Sequence, residues 1–321
     1  MTTRLCIPLI VLSLVALVDS LSAIDLPLTP DERAVIERIA ATEGVELALA
    51  EKPGFSARSA AEALVALGID KAELGSVTVQ DTKAAPHAIT ITHDKKGHVL
   101  AITGNGPWLR NSTLRSFKGL PELRSIRIDH NGYLDARTAE FDGSGFDALV
   151  DPKLADIKIG LSFSDKGMEQ CAKIKTLRSF SVAHSRVTDA GIACFAGHPG
   201  LTSFSVSEMG KPLLTGKALA SIAKIPNVKL IGFGECYISY DDGFAHLAPL
   251  KDRLVEMNLT MSIASPADLA KFKADHPNAK ITGLLTPEEI VKRHRGAAAN
   301  IAKQAPPELA APIKAALDAT K

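Results

Sequence analysis

The chain has 321 residues, 46% of them hydrophobic, enough to bury a real core and to exclude wholesale disorder. Lys and Arg number 37 against 36 Asp and Glu, a formal charge of +1, which makes a polyanion such as DNA a poor first partner. Aromatics are 5%, and 23 Gly and 18 Pro are ordinary usage, which argues against collagen-like, Pro-rich or aromatic-lined sugar-binding chains.

Met1-Thr-Thr-Arg4 is a short positive segment, and residues 5–18 form an apolar run of signal-peptide length, too short for a comfortable membrane span. Ala23 suits cleavage, with Val18-x-Ser20 as a rival site, so residues 1–23 read as a signal peptide. The expectation is export to the periplasm, the cell surface or the medium, with no membrane span after cleavage. Cys171, Cys194 and Cys236 then remain, an odd number at spacings that match no zinc or redox motif, and they read as small buried apolar residues.

Residues 24–96 read as an N-terminal capping region. Thr29-Pro30-Asp31-Glu32 resembles a capping box and opens a helix through Ile36, Ile39 and Val45. A second helix starts at Ser56 or Ser59 and carries Ala63, Leu64 and Leu67. Alternating residues on both sides of Asp94-Lys-Lys-Gly97 predict a hairpin whose second arm is the first strand of a repeated series.

That series organises residues 97–284. On the pattern L-x-x-L-x-L-x-x-N/C, the segments are GHVLAITGN from Gly97, LRSIRIDHN from Leu123, LADIKIGLS from Leu154, LRSFSVAHS from Leu177, LTSFSVSEM from Leu201, VKLIGFGEC from Val228 and LVEMNLTMS from Leu254. NAKITG from Asn278 is a decayed eighth, and the mean step is about 26 residues. Between strands runs a helical spacing, Val187…Ile192-x-x-Phe195. It recurs at Leu109…Leu114-x-x-Phe117, Phe163…Met168-x-x-Cys171, Leu214…Leu219-x-x-Ile222 and Ala264…Leu269-x-x-Phe272. Thr188-Asp189, Ser164-Asp165, Thr215 and Ser265-Pro266 supply N-cap chemistry. A strand with apolar side chains at positions 1, 4 and 6 cannot bury them alone, so the units must stack with their strands on the concave side. The predicted class is α/β: a right-handed strand–turn–helix solenoid with a helical N-terminal cap. Thr286-Pro-Glu-Glu289 starts a helix through Val291, and residues 285–321 form a helical cap or tail, loosely attached beyond 296, whose basic side chains read as a solvated face.

The Val187-Thr-Asp-Ala-Gly-Ile192 start, the repeated strand and FKADHPNAKITG from Phe272 resemble the exported bacterial leucine-rich repeat proteins, related to the ribonuclease-inhibitor-like, cysteine-containing class. The resemblance covers residues 97–283 and implies an arc-shaped scaffold that binds proteins, without a family-wide catalytic residue. A 31-residue step with Gly143-Ser-Gly145, and the Gly232-x-Gly234 strand, depart from the pattern.

Nucleotide loops, HExxH and GxSxG are absent from the sequence. His87, His93 and His98 flank the hairpin turn and read as surface histidines; Asn111-Ser-Thr113 and Asn258-Leu-Thr260 match the glycosylation sequon. The outward strand positions give candidate ligand-binding residues: Arg124, Arg127, Asp129, His130, Lys158, Arg178, His184, Glu208, Glu235 and Glu256. They make the concave face mildly dipolar, basic first and acidic later. The leading expectation is a non-catalytic exported scaffold, monomeric and without cofactor, metal or nucleic acid. It binds a protein or peptide through this face or through loops carrying Trp108, Tyr133, Tyr237 and Tyr240. The alternatives are a hydrolase using His130 or His184 with the serines of the strands, and a purely structural envelope protein.

Overall fold

The computed structural model describes residues 25–50, 57–82, 88–104, 110–128, 141–150, 153–160, 162–207 and 214–320. The expected signal peptide lies outside them, as do His87, Trp108, Asp129, His130, Tyr133 and Glu208. No helix among the described residues is long and apolar enough to cross a membrane.

The N-terminal part contains α1 (Pro30–Glu43), β1 (Leu47–Leu49), α2 (Ala57–Ala66), β2 (Gly75–Asp81), β3 (Ala88–His93) and β4 (Val99–Gly104). The repeats follow as α3 (Asn111–Ser116), β5 (Ser125–Ile128), β6 (Asp156–Gly160), α4 (Asp165–Cys171), β7 (Ser179–Ala183), α5 (Asp189–Ala193), β8 (Ser203–Ser207), α6 (Lys217–Ile222), β9 (Leu230–Gly234), β10 (Glu256–Asn258), α7 (Pro266–Asp275) and β11 (Lys280–Thr282). Three helices end the chain: α8 (Pro287–Arg293), α9 (Arg295–Gln304) and α10 (Pro307–Ala319). The strands form one eleven-stranded sheet in sequence order, antiparallel through β4 and parallel from β4 to β11.

Position 4 sets the register. Ile126, Ile157, Phe180, Phe204, Ile231, Met257 and Ile281 stand side by side from β5 to β11, as the repeat pattern predicts. Behind them Leu114, Met168, Ile192, Leu219 and Phe272 pack from the helices into one continuous core. Phe180, Phe195 and Phe204 stack in its middle, with ring centroids 4.8 to 5.5 Å apart. The two departures keep this order: Gly232 and Gly234 pair normally with Ser205 and Ser207, and β5 pairs with β6 across the long step. Only the first repeat is displaced. Ile102 faces Ile126, so the unit starts at Val99 and not at Gly97, because the β3–β4 hairpin, irregular at Thr92/His93, fixes the strand before the repeats begin.

The N-terminal cap is mixed rather than helical, since residues 47–49 and 75–81 add two antiparallel strands. Its helices take opposite sides of the sheet. Val35, Ile36 and Ile39 of α1 join the main core, while Ala60 and Leu64 of α2 pack with Leu100 and Ala101, on the concave side. Glu32 is buried and joins cap to repeats, one carboxylate oxygen accepting from the Thr29 hydroxyl (2.8 Å) and the other from the Val99 amide (3.2 Å).

Residues 285–320 are better anchored than a loose tail. Thr286 and Glu289 form the reciprocal capping box, and Ile290, Val291, Ala297, Ala298, Ile301, Ala310 and Ile313 build a second core with Met261 of the last full repeat. The alanine-rich composition that reads as weak attachment instead permits close helix packing. Among the cysteines Cys171 is buried, Cys236 half-buried and Cys194 exposed. Cys194 departs from the expectation because it caps the short α5 on its outer side, between the inward Ile192 and Phe195.

Candidate recognition groove

Alternation along a strand sends positions 3, 5 and 7 to the concave face. At the N-terminal end α2 covers that face, leaving Ala101 and Ser125 fully buried. Along the C-terminal ends of the strands stand the three terminal helices, with His294 6.4 Å from the His184 ring and Met261 in their core. Between these covers the face is open from β6 to β10, as a groove of about 480 Å³. Its floor is small: Ser181, Ser203, Ser205, Gly232, Ser207 and Gly234. A larger residue in β9 would disturb this floor, since a Cβ on Gly232 would sit 2.3 Å from the Ser205 hydroxyl oxygen. Lys158, His184, Glu235, Glu256 and Asn258 wall it.

The predicted site residues divide. Arg127 does not project freely; its Nε and a terminal nitrogen clamp the buried Asp156 at 2.8 and 3.1 Å, and Ser125 donates to the same carboxylate at 2.7 Å. Its charge is neutralised within the sheet, so of the basic residues at position 5 Lys158 alone projects freely, and it is exposed. Arg124 contacts Glu122 at 3.3 Å, and Lys153 donates to Glu122 at 2.6 Å, which holds that carboxyl below its ordinary range against the opposing effect of burial. Arg178 donates to the Gly200 carbonyl at 3.1 Å along the lower rim.

His184 and Glu235 meet although two repeats separate them: the imidazole Nε2 lies 2.8 and 3.0 Å from the carboxylate oxygens, and both side chains are about nine-tenths buried. Each occupies position 8 with positive φ (51° and 61°), and Met261 does the same, so this conformation belongs to the repeat turn. Glu256 accepts from the Thr282 hydroxyl at 2.6 Å and faces Lys280 on β11.

Away from the groove, His93 and His98 are bonded to Asp94 of the hairpin turn, and no His, Cys, Asp or Glu group among the described residues has metal-holding geometry. Tyr240 is structural; its hydroxyl donates to Asp275 and Lys271 lies over its ring. Asn111 of the first sequon binds Asp142 and the Gly143 and Gly145 amides. The sequence reading missed the small floor as a binding feature, although the alternation in SFSVA, SFSVS and LIGFG carries it. Leu230, 41% exposed on the same face, broke the polar pattern without being singled out.

A parallel ladder with one strand per unit, returned by a short α-helix or, at Ser144–Leu149 and Phe244–Leu250, by a 3-10 helix, and a core at positions 1, 4 and 6, defines a leucine-rich repeat solenoid of the α/β class. No protein-family model matches the chain, and no curated protein matches it. Among solved structures it is similar to a leucine-rich repeat protein of Leptospira interrogans, with TM-score 0.34 and 14% identity over 52% of this chain and 38% of that one. It is also similar to an internalin of Listeria monocytogenes, with TM-score 0.32 and 14% identity over 59% and 48% of the two chains. This chain therefore spans less than half of either structure.

Proposed function

We propose that the protein is a non-catalytic recognition scaffold that takes a protein or peptide segment in the concave groove. The observation that carries this reading is the floor of serine and glycine between two covered ends, which leaves depth for a partner's side chains where bulk would otherwise fill the face. In the same proposal the chain belongs to the exported, ribonuclease-inhibitor-like class, is exported by residues 1–23, acts as a monomer and needs no cofactor. The hydrolase alternative has weaker support: the accessible chemistry of His184 is engaged by Glu235, and a ladder that commits its strand amides offers no oxyanion hole. The test is selection of random linear peptides displayed on phage, against the parent and against Ser205→Trp, which plugs the floor. Enrichment by the parent that Ser205→Trp loses supports the groove. Equal enrichment by both overturns it.

A further inference from the structure

Resting on the concave-groove reading, we infer that the groove selects an extended segment with an acidic side chain over Lys158 and, about four or six residues away, an apolar side chain on Leu230. The other charged side chains of the groove already have partners within the protein. Arg127 is clamped by Asp156, His184 by Glu235, and Glu256 bonds Thr282 and faces Lys280. Among the described residues Lys158 makes no ion pair or hydrogen bond, so it is the cation left for a partner. An acidic group there relieves an uncompensated charge without breaking an existing pair.

The apolar anchor is set by the floor. At position 3 the strands next to β9 carry Ser203 and Glu256, and Leu230 alone between them offers a hydrocarbon surface. Lys158 lies three strands and two residues of register from Leu230. That is roughly 16 Å at ~4.8 Å per strand and ~3.3 Å per residue, the span of about five residues of extended chain, so that side chains about four or six apart face the floor together. Strand amides are occupied by the ladder, so the ligand backbone must bond side chains. The Ser181, Ser203 and Ser205 hydroxyls, which have no partner among the described residues, lie between the two anchors and can donate and accept.

The experiment extends the peptide selection to Lys158→Glu and Leu230→Ser, with melting curves to show that each variant is folded. The parent should enrich peptides that hold Asp or Glu about four or six residues from Leu, Ile, Val or Phe. Its best synthetic peptide should bind Lys158→Glu at least about tenfold more weakly, and should weaken with added salt in the parent only. Selection on Lys158→Glu should replace the acidic residue by Lys or Arg at the same spacing, and selection on Leu230→Ser should lose the apolar one. A parent set without an acidic residue, or a best peptide that binds Lys158→Glu as tightly as the parent, overturns this inference. If Ser205→Trp loses those peptides while Lys158→Glu keeps them, the groove stands and only its charge preference falls. If Ser205→Trp keeps them, both fall.

Discussion

Arg127 and Lys158 occupy the same position of adjacent repeats and yet bear different loads. Arg127 removed, Asp156 stays buried with only Ser125 to bond it, so Arg127→Ser should cost on the order of 3 kcal/mol in urea unfolding. Lys158→Ser should change stability by less than about 0.5 kcal/mol, as exposed substitutions do. Two histidines show another kind of load. His198 and His276 fill the turn before the strand, where Leu120, Ile174 and Ile225 stand in other repeats, and both are buried. His198 bonds the Ile174 carbonyl through Nε2 at 3.0 Å and accepts from the Gly200 and Leu201 amides through Nδ1. His276 packs its ring 4.8 Å from that of Phe272, and neither ring nitrogen has a hydrogen-bond partner among the described residues. Burial lowers both pKa values, opposed by the Ile174 carbonyl at His198 and by Asp275 at His276. The unfolded chain therefore binds more protons below its ordinary histidine value of ~6.5, and stability is lost as pH falls through that value toward the lower folded ones. The unfolding midpoint should drop between pH ~7.5 and ~5, and His276→Leu should flatten part of that slope. An unchanged slope in His276→Leu would mean that its imidazole does not couple folding to protons.

The units of α4, α5 and α6 are joined through hydrogen bonds at their helix starts. Asp165, the first residue of α4, accepts from the Thr188 amide and hydroxyl (2.8 and 2.6 Å), and Asp189 of α5 bonds Thr215 of the next unit in the same way. These Ser/Thr-Asp pairs read in the sequence as local caps. Thr188 does cap its own helix, but the aspartate reaches across units, which spacing within one repeat cannot reveal. The core register was legible because positions 1, 4 and 6 must bury together in every unit. Phe204→Asp would place an unpaired charge among Phe180 and Phe195, and should cost about 3–5 kcal/mol. A melting curve like the parent's would show that position 4 is not the core position. The start of the first repeat and the strands of the cap were not legible, because hairpin geometry, not repeat stacking, fixes them. Nor could the sequence place α2 on the concave side, since its stripe of Ala60, Ala63 and Leu64 fits either face of a sheet.

At the scale of the whole molecule the solenoid is closed at both ends, by different devices. The terminal helices share a core with Met261 and are packed against by Ile263, so truncation after residue 284 should expose both and lower the melting temperature. A truncated chain that melts like the parent would show that these helices are an appendage. The covers also decide which part of the sheet a partner can reach, and this is why the candidate site was only partly legible. Outward strand positions were readable from alternation, but the neutralisation of Arg127 and the meeting of His184 with Glu235 depend on distances between repeats. The groove is tested most directly by the affinity of parent-selected peptides for the parent and for Ser205→Trp, measured by fluorescence anisotropy on samples with matching melting curves. Binding should disappear in Ser205→Trp, whereas equal affinity for the two proteins would place recognition outside the concave face.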